Sequence, residues 1–242
     1  MAKIKTIYHN ILKSISEEKK LLAVLIDPDK FQIHNTEVFL QKVNQSIATH
    51  IFVGGSTVDV FATEKLVVEI KKHSNLPVVL FPGDVTQITN HADALLFLSL
   101  VSGRNAEYLI GQHIKAVSKL RDSSLEVIPT GYVLVDGGTK TATQKVTNTE
   151  SLTNVSEIAD TAKASQLLGM KLIYLEAGSG AKWQVSEEII KQVKQEISIP
   201  LIVGGGIRTK KQLDKAYQAG ADLVVIGTAF EEDETFFEVL KN

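Results

Sequence analysis

The chain has 242 residues, of which 44% are hydrophobic and 22% are charged, values typical of a globular protein with a substantial core. A formal net charge of -2 gives no electrostatic reason to expect a nucleic acid partner, and the absence of cysteine excludes disulfides, thiolate catalysis and cysteine-ligated metals. No signal peptide is recognised near the N-terminus, and no apolar run approaches the roughly 20 residues that span a bilayer, so we expect a cytoplasmic protein.

Eight apolar runs of strand length alternate along the chain with amphipathic segments of helical period. Because these runs are continuously apolar, they are typical of parallel strands buried on both faces. Eight such strands in 242 residues favour an α/β fold closed into a (β/α)₈ TIM barrel, one domain over residues 1–242 with an extra N-terminal helix below the barrel. The predicted strands are 21–27, 50–55, 77–81, 94–100, 126–135, 171–177, 200–205 and 222–228.

One segment lacks a clear period. Residues 136–154 are polar, rich in threonine and long for a loop between a barrel strand and the next helix. Long loops at the carboxyl ends of barrel strands are often functional. We therefore expect this segment to be either a lid over a site or a mobile surface insertion.

Glycine-rich turns follow the last three predicted strands: AGSGA at 177–181, GGGIR at 204–208 and GTAF at 227–230. Glycine lets the backbone approach an anion closely, and successive N–H groups then bind phosphate. TIM barrels often place a phosphate after strands 7 and 8. Tight turns alone would explain one of these loops easily and all three poorly, so the pattern predicts a phosphate site.

Side chains with oxygen atoms follow the first, second and sixth predicted strands. Asp27 ends the first strand, where it is predicted to be a general acid or base, a Mg²⁺ ligand, or only a turn cap. Ser56 follows the adjacent second strand, and the two together make a sparse site for Mg²⁺ and diphosphate. Glu176 ends the sixth strand, where a buried charge needs a partner or a role, and Tyr174 points to the same side.

Six motifs occur in this order along the chain: LIDPDK, FVGGS, SLVSGRN, YLEAGSGA, VGGGIR and GADLVVIGTAFE. Together they resemble the geranylgeranylglyceryl phosphate synthases and the related bacterial PcrB-type enzymes, from about residue 20 to residue 235. The resemblance implies Mg²⁺-dependent joining of the C3 hydroxyl of sn-glycerol 1-phosphate to a polyprenyl diphosphate, which forms an ether and releases diphosphate. It also implies a homo-oligomer, a dimer or a hexamer, and a lipid tail that is consistent with transient membrane contact.

The resemblance also implies roles for individual residues. Asp27 and Ser56 would hold Mg²⁺ against the diphosphate. Glu176 would hold the glycerol hydroxyls and act as the base, with Tyr174 and Asp27 as further catalytic candidates. The residues expected to bind glycerol phosphate are Tyr174, Leu175, Glu176, Ala177, Gly178, Ser179, Gly180, Gly205, Gly206, Gly227 and Thr228.

One basic position departs from the PcrB-type pattern. Leu25 stands where those enzymes have a lysine two positions before the aspartate, which matches the second subgroup of the family. The departure removes a basic phosphate contact at the first strand. Our hypothesis is that Lys30 or Arg208 supplies it.

Two other functions remain open from the residues alone. A sugar-phosphate isomerase or cyclase of the histidine-biosynthesis type would use Asp27 and Asp136 as an opposed acid and base, although the third and fourth strands do not end in the second set of glycine motifs that such barrels have. A non-catalytic barrel that binds a phosphorylated ligand would need the glycine loops but not Asp27, Ser56 and Glu176 at the same mouth. Tyr132, on the fifth strand, is a secondary site candidate or a packing residue.

Overall fold

The computed structural model describes residues 6–232 and 236–241, and it contains all eight predicted strands. Neighbours in the chain pair in parallel, and the last strand pairs with the first, so the sheet closes. The predicted TIM barrel is therefore confirmed. The strands are β1 (Leu21–Ile26), β2 (His50–Val53), β3 (Val78–Leu80), β4 (Ala94–Leu100), β5 (Glu126–Leu134), β6 (Leu172–Glu176), β7 (Leu201–Gly204) and β8 (Leu223–Ile226).

Ten α-helices occur in the described part of the chain, and none of them is long and apolar enough to cross a membrane. They are α1 (Ile7–Ser16), α2 (Thr36–Gln45), α3 (Ala62–His73), α4 (Gln112–Leu120), α5 (Ala142–Thr147), α6 (Val155–Leu167), α7 (Glu187–Glu196), α8 (Lys210–Ala219), α9 (Thr228–Glu232) and α10 (Phe236–Val239). A π-helical turn, Glu107–Gly111, leads directly into α4.

Alternate residues of each strand fill two different cores. In β6, Leu172 and Tyr174 pack inside the barrel, whereas Ile173 and Leu175 pack against the apolar faces of the helices. This alternation follows from the two-residue period of a strand, and it explains why the strands are apolar on both faces. It also places Glu176 on the interior side of the barrel, at the carboxyl end of its strand.

The predicted extra helix is α1, and it covers the amino end of the barrel. Glu126, the first residue of β5, accepts hydrogen bonds from the backbone N–H groups of Ile7 (2.5 Å) and Tyr8 (3.2 Å). A carboxylate is favourable at a helix N-terminus because the free N–H groups there carry partial positive charge. Ile11 is buried among the residues of the barrel interior. Access to the interior is therefore from the opposite, carboxyl end.

The connection from β3 to β4 differs from the regular βα repeat. Residues 81–93 are all described, and they contain a 3₁₀ turn, Val85–Gln87, but no α-helix. A regular TIM barrel has a helix after every strand. Without a helix at this place, a groove remains between β4 and α4, and its lining includes Leu95 and Phe97.

Residues 136–154 form a structured segment at the carboxyl end of the barrel. They contain α5, which begins with a capping box between Thr141 and Gln144. Val135 and Leu152 form a parallel bridge at the base of the segment. The side chain of Asn105, from the loop after β4, donates a hydrogen bond to the Thr147 carbonyl (2.8 Å). The segment is thus held by neighbouring loops and contributes to the carboxyl end of the barrel.

Candidate active site

A cleft with about 1110 Å³ of empty space opens at the carboxyl ends of the strands. Three of the sequence-predicted site residues do not line it: the side chains of Leu175 and Ala177 lie in the core against the helices, and Gly180 lies in a turn with φ +71°. The other predicted site residues do line it, namely Asp27, Ser56, Tyr174, Glu176, Gly178, Ser179, Gly205, Gly206, Gly227 and Thr228.

Glu176 is the buried acid of this cleft, and only 6% of the residue is exposed. Its Oε1 accepts a hydrogen bond from the Gly178 N–H (2.6 Å). Burial disfavours the charged carboxylate and raises the pKa of Glu176 to about 7, although the hydrogen bonds from Gly178 and Tyr174 act in the opposite direction. A carboxyl group with a pKa near 7 can accept and release a proton at neutral pH, as a general base must.

The phenol of Tyr174 lies beside the Glu176 carboxyl group. A Cβ atom placed on Gly204 would be 2.4 Å from Tyr174 Oη and 2.9 Å from Glu176 Oε2, so both oxygens adjoin the same glycine. Tyr174 is fully buried, and its hydroxyl interacts with the Glu176 carboxyl group, which raises the pKa of Tyr174 and lowers that of Glu176. Burial and the nearby Glu176 charge raise the pKa of Tyr174 well above 10, so the phenol stays protonated. It can donate a hydrogen bond to the Glu176 carboxylate or to a ligand oxygen.

The three predicted glycine loops converge beside this pair. Gly178, Gly205 and Gly206 all have φ between +72° and +106°, a conformation that side chains other than glycine rarely adopt. Ser179 Oγ lies 3.3 Å from Thr228 Oγ1, so the loop after β6 meets the start of α9. Backbone N–H groups in such a concave arrangement bind anions. The loops therefore form a cradle suited to a phosphate.

A lysine links the end of β1 to the cradle. Lys30 Nζ is 3.1 Å from Asp27 Oδ2 and 3.4 Å from Ser179 Oγ. Arg208 also lines the cleft, but its Nη1 donates to the Ala181 carbonyl (2.8 Å) and so fixes the loop after β6. Of the two basic residues considered for the missing contact, Lys30 meets the cradle at the Ser179 hydroxyl, whereas Arg208 binds a backbone carbonyl of the loop after β6.

Asp27 and Ser56 supply hard oxygen donors on the opposite side of the cleft. A Cβ atom on Gly55 would lie 2.7 Å from Asp27 Oδ1, so the Asp27 carboxylate packs directly on the loop that carries Ser56. In the described chain, no cluster of three or more histidine, aspartate or glutamate side chains is arranged to hold a metal. Mg²⁺ commonly binds through one or two protein oxygens, waters and substrate phosphates, and one carboxylate plus one hydroxyl fits that pattern.

A second cavity, an apolar groove of about 800 Å³, joins the cleft from the side of β4. Its walls include Leu96, Phe97 and Leu98 of β4, and Ala116 of α4 lies deeper along it. The segments VVLFPG (78–83) and LLFLSLV (95–101), which the sequence assigns mainly to buried strands, thus also contribute to the groove. The residues that line both the cleft and the groove are Gly55, Ser56, Phe81, Tyr132 and Thr143.

Phe81 and Thr143 were not identified from the sequence. Thr143 Oγ1 lies 3.0 Å from Ser56 Oγ, which brings α5 to the middle of the site. Its segment has no apolar period, and the one sequence signal that could have indicated a helix there is the capping-box pattern of Thr141 and Gln144. Asp136, which the isomerase hypothesis needs, is exposed and does not line the cleft; its Oδ1 accepts a hydrogen bond from the Gly138 N–H (3.1 Å).

Comparisons with known proteins show the family to which this chain belongs. The PcrB family matches residues 13–242. Geranylgeranylglyceryl phosphate synthase from Zunongwangia profunda is 57% identical over 93% of this chain and 96% of its own length, and the enzyme of the same name from Flavobacterium johnsoniae is 52% identical over 96% and 97%. The crystal structure of (S)-3-O-geranylgeranylglyceryl phosphate synthase from Thermoplasma acidophilum in complex with sn-glycerol-1-phosphate has a TM-score of 0.91 and 33% identity, and the match covers 97% of this chain and 95% of that one.

Proposed function

We propose, on the premise that this chain belongs to the PcrB family and is a geranylgeranylglyceryl phosphate synthase, that it joins both substrates where its cleft and groove meet. The reaction forms an ether between the C3 hydroxyl of sn-glycerol 1-phosphate and C1 of geranylgeranyl diphosphate or a similar polyprenyl diphosphate. The observation that carries the proposal is the continuity of a polar cleft containing Glu176 with an apolar groove. Glycerol 1-phosphate needs the polar cleft, whereas the prenyl diphosphate needs the cleft for its charged head and the groove for its hydrocarbon tail.

The glycine cradle is the proposed site for the phosphate of glycerol 1-phosphate. Backbone N–H groups of Gly205 and Gly206 would hold the phosphate oxygens, and Ser179 and Thr228 would add their hydroxyls. The glycerol hydroxyls would then reach Glu176. The hydrogen bond from the Gly178 N–H holds the Glu176 carboxyl group next to the cradle. This orientation brings the nucleophilic oxygen to the base before the reaction begins.

Asp27 and Ser56 are the proposed Mg²⁺ ligands. When bound, the ion would offset the negative charge of the diphosphate and make it a better leaving group. Asp27 also holds Lys30 by an ion pair (3.1 Å), so a second positive charge is available at the same place. Both charges lie at the mouth of the cleft, where the diphosphate must lie if its hydrocarbon tail occupies the groove.

Glu176 is the proposed general base. Its raised pKa, about 7, leaves a substantial fraction of the carboxylate ionised at neutral pH and makes it basic enough to accept the C3 hydroxyl proton. Tyr174 cannot compete for that proton, because its own pKa lies well above 10. Its protonated hydroxyl would instead donate a hydrogen bond to a glycerol oxygen and orient it.

A transfer assay tests the function directly. Radiolabelled sn-glycerol 1-phosphate is incubated with geranylgeranyl diphosphate and Mg²⁺, and the mixture is extracted with solvent. We expect label in the organic phase, and none with EDTA or with the enantiomeric glycerol 3-phosphate. Absence of transfer with prenyl diphosphates from C10 to C35 would exclude the synthase function. The hypothesis of a non-catalytic barrel that binds a phosphorylated ligand would then be the one to test.

Replacement of Lys30 by alanine is expected to raise the KM for glycerol 1-phosphate by roughly 10- to 100-fold, the usual effect of losing a hydrogen bond to a charged group. Arg208→Ala is expected to act less on that KM, because the guanidinium binds the Ala181 carbonyl. Lys140→Ala is the matched control, since Lys140 pairs with Glu150 outside the cleft. An unchanged KM in Lys30→Ala would assign the phosphate contact elsewhere.

We further propose that the chain acts as a single domain over residues 1–242, in the cytoplasm, as a homo-oligomer that contacts a membrane transiently. An exposed apolar surface supports association, and the chemistry of the product supports membrane contact. Ile110, Ile114 and Val117 form an exposed apolar stripe along the π-helical turn and α4, a surface suited to association. The product carries a long hydrocarbon chain, which a bilayer would accept after release.

A further inference from the structure

A hydroxyl group of α5 contacts Ser56, one of the two proposed Mg²⁺ ligands. Thr143 Oγ1 lies 3.0 Å from Ser56 Oγ, and both residues line the cleft as well as the groove. The helix belongs to the polar segment 136–154, for which the sequence leaves open a lid or a mobile insertion. A mobile surface insertion would not account for a hydrogen bond in the middle of the site.

The contact with Ser56 is not what holds α5 in place. The helix begins with the capping box of Thr141 and Gln144, and the Asn105 side chain donates to the Thr147 carbonyl at its other end (2.8 Å). Both ends of the helix are therefore anchored without the Thr143 hydroxyl. Its hydrogen bond with Ser56 needs a different explanation, and the chemistry of a hydroxyl ligand offers one.

A serine hydroxyl that binds a cation has to turn its proton away from that cation. The group carries one proton and two lone pairs, and the cation binds to a lone pair. Because the cation repels the proton, the proton must be donated to an acceptor on another side. The partner that the structure places at Ser56 Oγ is the hydroxyl oxygen of Thr143. The Asp27 carboxylate, the other proposed ligand, packs on Gly55 in the same loop.

Tyr132 completes the arrangement, because Thr143 also needs an acceptor for its own proton. Burial raises the pKa of the Tyr132 phenol well above 10, as does the charge of Glu176, and a hydrogen bond with the Thr143 side chain acts in the opposite direction. A hydrogen bond that lowers the pKa of a phenol is one that is donated to its oxygen. Thr143 can thus accept from Ser56 and donate to Tyr132 at the same time.

We propose, resting on the synthase function above, that Thr143 is a positioning residue for the Mg²⁺ diphosphate group. It accepts the hydrogen bond from Ser56 and so keeps a lone pair of Ser56 Oγ available to the ion that Asp27 also binds. Segment 136–154 is then part of the active site, because α5 brings this acceptor to the loop after β2. Groups that orient metal-ligating side chains from behind usually lower metal affinity by roughly 10- to 100-fold when they are removed.

Replacement of Thr143 by valine tests this role, because valine keeps the branched shape and removes the hydroxyl. The Kd of inorganic diphosphate in the presence of Mg²⁺ is measured by calorimetry, which needs no turnover. We expect this Kd to rise by roughly 10- to 100-fold, and the KM for the prenyl diphosphate to rise with it, while the KM for glycerol 1-phosphate stays unchanged. Thr143→Ser keeps the hydroxyl and should bind diphosphate as wild type does. An unchanged Kd in Thr143→Val would overturn the proposal.

Thr147→Val is the matched control on the same helix. The Thr147 hydroxyl donates to the Thr143 carbonyl (2.7 Å) one turn earlier, and the residue does not line the cleft. Its replacement should therefore leave the Kd of diphosphate unchanged. Equal losses of affinity in the two valine variants would mean that α5 as a whole had been disturbed, and would contradict a specific role of the Thr143 hydroxyl.

A double-mutant cycle with Ser56→Ala separates positioning from direct binding. If Thr143 acts through Ser56, its replacement by valine should cause no further loss of diphosphate affinity once Ser56 is alanine. A full additional loss would show that Thr143 contacts the diphosphate itself, against the positioning role, and a wild-type protein that does not bind diphosphate with Mg²⁺ would also overturn it. Failure of the synthase function is distinguishable, because the transfer assay would then give no product while the dependence of diphosphate binding on Thr143 and Ser56 would still be measured.

Discussion

Replacement of Glu176 by glutamine is expected to lower kcat by roughly 10²–10⁴, the usual range for losing a general base, while glycerol 1-phosphate still binds. Glutamine keeps the shape of the side chain and an oxygen that can accept the Gly178 N–H, so the cradle should remain intact. It cannot accept a proton. The measurement is kcat with both substrates saturating, together with the Kd of glycerol 1-phosphate from calorimetry.

The wild-type pH profile follows from the same carboxyl group. Because Glu176 must be ionised to act as a base and its pKa is about 7, kcat should rise with pH through about 7 and level off above it. The profile of Glu176→Gln should lack this step. A wild-type profile that is already flat from pH 5 upwards, or a variant with wild-type turnover, would place the proton transfer on another group.

Stability is expected to change in the opposite direction to activity. Burial raises the pKa of Glu176 from 4.5 to about 7, so the folded state resists ionisation and stability is lost as the pH rises from about 4.5 through 7. Glutamine cannot ionise, so the variant does not lose this stability as the pH rises. The ligand-free Glu176→Gln protein should therefore be more stable than wild type by up to about 3 kcal/mol at pH 8, with a smaller difference at pH 5. Denaturant unfolding at the two pH values measures this difference.

The strands and the cradle were predictable because their causes are local. Continuous apolar runs specify buried parallel strands, and glycines at three strand ends specify close backbone approach, so the barrel and the position of Gly205 follow from the sequence. Glu176 was identifiable for a related reason: an ionisable residue at the end of an apolar run stands out against its surroundings. The identity of the substrates came from the family resemblance, because the spacing of residues in the sequence does not specify a substrate.

The resemblance implied an apolar groove, but its junction with the cleft was not predictable, because the junction depends on packing between distant segments. Phe81 is an ordinary apolar residue in the sequence, and its position at the junction results from closure of the barrel around Tyr132 and Tyr174. Thr143 comes from a segment without periodicity, and it reaches Ser56 across 87 positions of chain. The groove is open because the connection between β3 and β4 contains no α-helix that would fill it.

Replacement of Gly205 by alanine is expected to lower kcat/KM by roughly 10²–10³, comparable to the loss of a preorganised hydrogen-bond donor at a reacting centre. A Cβ atom there would lie 2.6 Å from Glu176 Oε1, 2.6 Å from the Gly178 nitrogen and 2.9 Å from the Gly178 carbonyl oxygen. Two of these three atoms belong to the backbone and cannot rotate away. Relief of the clash must therefore displace the loop after β6 and break the hydrogen bond that orients the base.

Backbone strain alone does not account for this expected loss, and Gly169→Ala separates the two effects. Gly169 also has a positive φ (+98°), but a Cβ atom there would meet nothing within 4 Å, and the residue follows α6 away from the cleft. Alanine at either position should cost about 1–2 kcal/mol of stability through its left-handed conformation. Only Gly205→Ala should also raise the KM for glycerol 1-phosphate and lower kcat. Equal kinetic constants in the two variants would mean that the loop after β6 moves freely, and that the close contact between Gly205 and Glu176 has no part in the reaction.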